Sequence, residues 1–166
     1  MLAKIMGGIA LEFRVTKDPD GSRQVILMGP INEDAEISLK AILVELSGVK
    51  KVTFNFAQTS NINSLGVRAW VQFLRLAQDG RAVVFEQCTA DVIAQVNMIP
   101  SFASNAVISS FFTNYLCENC NKTETVLISR SALEPKALPQ KAKCPTCTSE
   151  METEELEDEY FAFLLR

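Results

Sequence analysis

Two apolar, β-branched runs open the chain, "GIALEFRVT" and "RQVILMG", separated by "KDPDGS", whose Pro19, Asp20 and Gly21 are strong turn formers. This pattern predicts a β-hairpin. The period then changes, with Ala35, Leu39, Ile42, Leu43 and Leu46 recurring at helical spacing. Asn32 is the expected cap of a helix from about Glu33 to Leu46, Glu33, Asp34 and Glu36 suit its positive end, and Gly48 ends it. "KVTFNF" predicts a buried strand. Ser64 is the expected cap of the next helix, in which Val67, Trp70, Val71 and Leu74 share one face and Arg68, Gln72 and Arg75 the other. Gly80 is its expected stop. "RAVVFEQ" predicts a fourth strand, Thr89 the cap of a short helix through about Met98, and Pro100 blocks that helix from continuing. "NAVISSFFTNYL" predicts a fifth strand that runs straight into Cys117.

Helices between the later strands imply parallel pairing, because parallel strands need long crossovers. The expected fold is therefore α/β, a mixed sheet flanked by helices, followed by a small cysteine-bearing unit. The boundary is expected between residues 113 and 114, giving units 1–113 and 114–166. "SALEPKALPQKAK", with two prolines and several lysines, is the most flexible stretch of the second unit.

Composition narrows the chemistry. About half of the 166 residues are apolar, enough for one full domain and an appendage. No apolar run reaches the ~18 residues needed to span a bilayer, and "MLAKIMGGIALEF" lacks a convincing cleavage site, so a cytoplasmic protein is expected. Histidine is absent, which removes the usual general base and metal ligand. Charge is balanced over residues 1–116, slightly positive over 117–149 and strongly negative over 150–166. There is no dense basic stripe, which counts against a nucleic-acid backbone as partner.

"CENC", then twenty-three residues, then "CPTC" presents Cys117, Cys120, Cys144 and Cys147 as two pairs of thiolates. This is the pattern of a zinc ribbon, with a structural Zn²⁺ and no open position for water. Rubredoxin-like iron sites usually carry glycine after each pair, where this chain has Asn121 and Thr148, and a disulfide fits a secreted chain better. Cys88 reads as a small buried hydrophobe. In "EMETEELEDEYFAFLLR" the acids suit a solvated face, whereas Tyr160, Phe161, Phe163, Leu164 and Leu165 are too apolar for a loose tail and are expected to dock.

From about residue 8 to 113, the order of elements and the stretches "LMGPINEDAEISLKAIL" and "VTFNFAQTSNINSLGVRAWVQFLRLAQDGRAVVF" resemble the STAS family, which includes anti-sigma factor antagonists. In that branch a loop reading Asp-Ser-Ser/Thr-Gly is phosphorylated on its first hydroxyl residue by a partner kinase. The matching residues here are Asn63, Ser64, Leu65 and Gly66. Asn63 stands in place of the acid and Leu65 in place of the second hydroxyl, and Asn55 replaces another acid near the end of the preceding strand. The usual negative charges of the site are thus expected to be neutralised.

The resemblance implies a non-enzymatic interaction module that binds a protein such as an anti-sigma factor or serine kinase. Contact would run through Ser64, its neighbours and Arg68, with phosphorylation as the switch. The residues themselves require only that Ser64 cap its helix, and no base nearby in sequence would make it a nucleophile. A helix start also accepts a phosphate. The alternative is nucleic-acid binding through the ribbon, and a homodimer stays open.

Overall fold

The computed structural model describes residues 10–133 and 141–165. Gly8 and Ile9 of the first run, most of "SALEPKALPQKAK" and Arg166 lie outside the described residues. No helix among them is long and apolar enough to cross a membrane.

The hairpin forms from β1 (Glu12–Lys17) and β2 (Arg23–Ile31). Then come α1 (Ala35–Glu45), β3 (Lys51–Ile62), α2 (Ser64–Ala77), β4 (Ala82–Glu86), α3 (Ala90–Met98), the short α4 (Pro100–Ala103) and β5 (Val107–Ile108). The five strands lie in the order β1-β2-β3-β4-β5, antiparallel at the first pair and parallel thereafter. The mixed sheet flanked by helices is what the alternation of elements predicts.

One face of the sheet is apolar at every second residue, and Val25, Leu27, Val52, Phe54, Phe56, Val83 and Phe85 are buried on it. From α1, Leu39 and Ile42 join the same core, and from α2 Trp70, Phe73, Leu74 and Ala77. The buried stripe of α2 is turned from the expected one: Phe73 and Ala77 are inside, while Val67 and Val71 are only half-buried. The cause is aromatic packing. Phe54 meets Trp70 and Phe73 edge-on, both at 5.5 Å, and the Trp70 indole N–H donates to the Phe102 carbonyl of α4 at 2.9 Å.

Two expectations about helix ends need correction, and a third gains a detail. Asn32 does not cap α1: Asp34 holds that position, and the Asn32 side chain accepts from the Asp34 N–H, forming a turn ahead of the helix. Thr89 holds the cap position of α3, but its hydroxyl makes no capping bond. Pro100 ends α3 as expected and then opens α4 as its first residue, where its missing N–H costs nothing.

The expected fifth strand is two strands. β5 completes the first sheet, Ser109 breaks the run by bonding to the Phe85 carbonyl, and β6 (Ser110–Cys117) enters a second, antiparallel sheet. There it pairs with β7 (Lys122–Ser129) and β9 (Glu150–Thr153), and β8 (Ala142–Lys143) pairs with β9, giving the order β7-β6-β9-β8. The expected boundary after residue 113 falls inside β6. Alternate residues of this strand are buried, Phe111 in the large core and Tyr115 and Cys117 in a smaller one. The bonds Cys88 N–H to Ser110 and Phe112 N–H to Cys88 tie β6 to the end of β4. Cys88 is fully buried, and burial pushes its thiol far up.

The C-terminal segment docks. After β9, α5 (Glu157–Tyr160) and a 3-10 turn over Phe161–Leu164 return to the large core. Phe163 meets Phe111 edge-on at 5.0 Å, whereas Leu165 stays about half exposed.

Candidate functional site

The start of α2 is built differently from its expectation. Asn63, in an extended conformation, is the cap, and its side-chain oxygen accepts from the Gly66 N–H at 2.8 Å. Ser64 is the first residue inside the helix. The Val67 N–H bonds to the Asn63 carbonyl, so Asn63 takes both the Gly66 and the Val67 N–H and the Ser64 hydroxyl caps neither. Asparagine ranks at least as high as serine as a cap, and the helical φ/ψ begin one residue later than Asn63. The Ser64 hydroxyl has no protein partner among the described residues, and Ser64, Leu65 and Arg68 are all exposed. Ser64 and Arg68 stand four residues apart, one turn along the same face.

Gly66 has a structural reason absent from the expectation. A Cβ there would lie 1.8 Å from the Ile31 carbonyl oxygen and 2.7 Å from the Asn32 nitrogen. The first turn of α2 therefore rests directly on the end of β2, helped by the bond from the Asn63 N–H to the Ile31 carbonyl. Only glycine permits that approach.

Both asparagines that stand where the resemblance expects an acid donate to a glutamate. The Asn63 side-chain amide bonds to Glu33 at 2.7 Å, and that of Asn55 to Glu86 at 2.8 Å. The Gln24 amide shares the same Glu86 oxygen at 2.6 Å, and the Asn55 oxygen accepts from the Ala57 N–H. An aspartate at either position would set two carboxylates against each other. Each asparagine is thus set beside a carboxylate, Asn63 beside Glu33 and Asn55 beside Glu86. The bond from Asn63 holds the Glu33 carboxyl below its ordinary range.

Cys117, Cys120, Cys144 and Cys147 converge, their sulfurs all within 4.8 Å of one another. Cys117 to Cys147 is 3.4 Å and Cys120 to Cys144 is 3.5 Å, well beyond a disulfide and close to the ~3.8 Å between thiolates around a tetrahedral ion with 2.3 Å bonds. All four are free thiols. Each pair sits in a matching turn: the Asn121 N–H returns to the Cys117 carbonyl at 2.7 Å, and the Thr148 N–H to the Cys144 carbonyl at 2.9 Å. Asn121 (φ 55°) and Thr148 (φ 61°) are both left-handed. The conformation that glycine serves in iron sites is thus reached without glycine, so its absence does not separate iron from zinc.

Neighbours prepare part of the cluster for metal. The Asn119 side chain and the hydroxyl and N–H of Ser149 pull the Cys147 thiol down to about 5, and the backbone N–H groups of Cys147 and Thr146 lower Cys144. Burial pushes Cys120 up to about 12. Asn119 and Ser149 were not singled out by spacing, although small polar residues beside the cysteines were the available signal. The four thiols fit a metal ion in number, chemistry and separation.

No family model matches the chain, and no curated protein matches it. Among solved structures, that of the anti-sigma factor antagonist SpoIIAA in its unphosphorylated form aligns with 45% of this chain and 72% of its own, at 16% identity and a TM-score of 0.37. A crystal structure of Mglu aligns with 51% of this chain and 21% of its own, at 28% identity and a TM-score of 0.40. This chain thus spans about a fifth of the Mglu chain.

Proposed function

We propose that this protein is a non-enzymatic, STAS-like interaction regulator that engages a protein partner, such as an anti-sigma factor or serine kinase, through the start of α2. The observation that carries this reading is the Ser64 hydroxyl, exposed, unbonded and relieved of capping by Asn63. Leu65, 58% exposed, supplies an apolar contact beside it, and Arg68 a charge one turn on. A phosphate on Ser64 would meet the positive end of the helix and lie within reach of Arg68, while adding charge next to Glu33. The fold would persist and the contact surface would become negative, which is the switch.

The cysteine cluster holds a structural Zn²⁺ in this reading, because four thiolates leave no place for a substrate or water. Metal analysis after native purification tests it; a red, iron-bearing protein or one without metal contradicts it. Nucleic-acid binding through the ribbon is not favoured by its surface, where Lys141 is paired to Glu150 and Glu152.

Affinity purification from the native cell, with intact mass of the bait, tests the switch. Ser64→Ala is expected to retain its partner and Ser64→Asp to lose it, with phosphate on the wild-type serine alone. Absence of phosphate under all growth conditions together with identical partners for both variants overturns the proposal.

A further inference from the structure

Away from the helix-start loop, a cavity of about 350 Å³ opens between α3 and the connection from β9 into α5. Its apolar wall is made by Ala94 and Met98 from one side and Leu156 and Tyr160 from the other. Met98 is 66% exposed and Leu156 69%, two large apolar side chains standing as lips over one opening. Isolated exposed apolar residues need no explanation; a facing pair at the mouth of a cavity does.

The charged part of the lining has one sign. Glu154, Glu155 and Glu159 border the cavity beside Asn97 and Tyr160, and among the described residues neither lysine nor arginine lines it. None of the three glutamates takes part in an ion pair among the described residues. Glu155 is drawn in furthest: its N–H bonds to the Thr153 hydroxyl, and its carboxylate meets the Asn114 amide at a long 3.5 Å. Burial and then the neighbouring Glu154 push its carboxyl up, the sign of a negative charge short of a counter-ion. The cavity is held open by the protein's own structure. The Asn97 amide bonds to the carbonyls of Glu159 and Tyr160, and the Tyr160 hydroxyl bonds to the Phe112 carbonyl.

An apolar trough rimmed by unpaired carboxylates complements a side chain that is apolar along its stem and cationic at its tip. We propose that this cavity is a docking site for a basic, apolar segment of a partner protein, with an arginine stem between Met98 and Leu156 and its guanidinium among Glu154, Glu155 and Glu159. A metal cation is a poorer match, since the apolar lips would contribute nothing to it. A purely apolar segment would leave the carboxylates without partners. The site is independent of Ser64 and of the switch proposed there.

A fluorescein-labelled peptide of alternating arginine and leucine, titrated with the full-length, metal-loaded protein and read by anisotropy, tests the proposal. Glu155→Gln with Glu159→Gln is expected to weaken binding about tenfold and to flatten its salt dependence. Met98→Ser with Leu156→Ser, two exposed positions, is expected to weaken it with the salt dependence intact. Glu45→Gln with Glu118→Gln removes as much charge from other surfaces and is expected to leave the Kd unchanged. Equal loss in this control pair, binding insensitive to the cavity variants, or equal binding of a peptide with citrulline in place of arginine would overturn the proposal. Circular dichroism of each variant separates loss of the site from loss of the fold.

Discussion

The five-stranded sheet closes on Phe54, Phe56, Trp70, Phe85 and Phe102, each fully buried, whereas the four-stranded sheet closes on Tyr115, Met151 and two cysteine side chains. The first has enough apolar area to fold on burial alone, since each such aromatic contributes on the order of 2–3 kcal/mol. The second does not, and its sulfur atoms occupy the place that a larger domain fills with leucine and phenylalanine. If the four cysteines hold an ion as proposed, the contrast implies that metal binding and folding are one event in the smaller unit.

Removing the metal should break this comparison most sharply. Structural zinc contributes on the order of 10 kcal/mol in small units. Chelation, or Cys144→Ser, is expected to abolish amide protection in β7, β8 and β9 while β2, β3 and β4 keep theirs, as read by hydrogen exchange. Equal loss in both sheets would show that the larger core depends on the smaller.

In the larger core, Phe54→Ala is expected to cost about 3–5 kcal/mol in urea unfolding followed by Trp70 fluorescence, through the cavity it leaves among three rings. Gly66→Ala tests a contact of backbone on backbone. The carbonyl of Ile31 must move away from the new methyl, with an expected cost of about 1–3 kcal/mol by the same assay. The smallest effects sort the helix start. Asn63→Ala should cost about 1 kcal/mol, and Ser64→Ala less than about 0.5 kcal/mol. The reverse order would return the cap to Ser64.

Much of this was legible in the chain because it rests on period and spacing. Alternation marks β2, β3 and β4, helical recurrence marks α1 and α2, and the two Cys-x-x-Cys pairs announce their meeting across twenty-three residues. What was not legible depends on contacts between distant residues. Phe73 turns inward because Phe54 awaits it, and "NAVISSFFTNYL" is cut at Ser109 because that residue bonds to Phe85. The same holds at the helix start, where local sequence offers Asn63 and Ser64 as rival caps. The choice is visible only when Glu33, thirty residues away, is found holding the Asn63 amide.

β6 has a practical consequence for modularity. A fragment ending at residue 113 would keep Phe111 but lose Phe161 and Phe163, which cover it, and would cut a strand midway through its hydrogen-bonded ladder. A fragment beginning at 114 would lose Ser110 and Phe112, whose backbone bonds to Cys88 tie the four-stranded sheet to its neighbour. One strand thus serves as the last element of one unit and the first of the next. The two halves are expected to travel through evolution, and through the laboratory, as one piece.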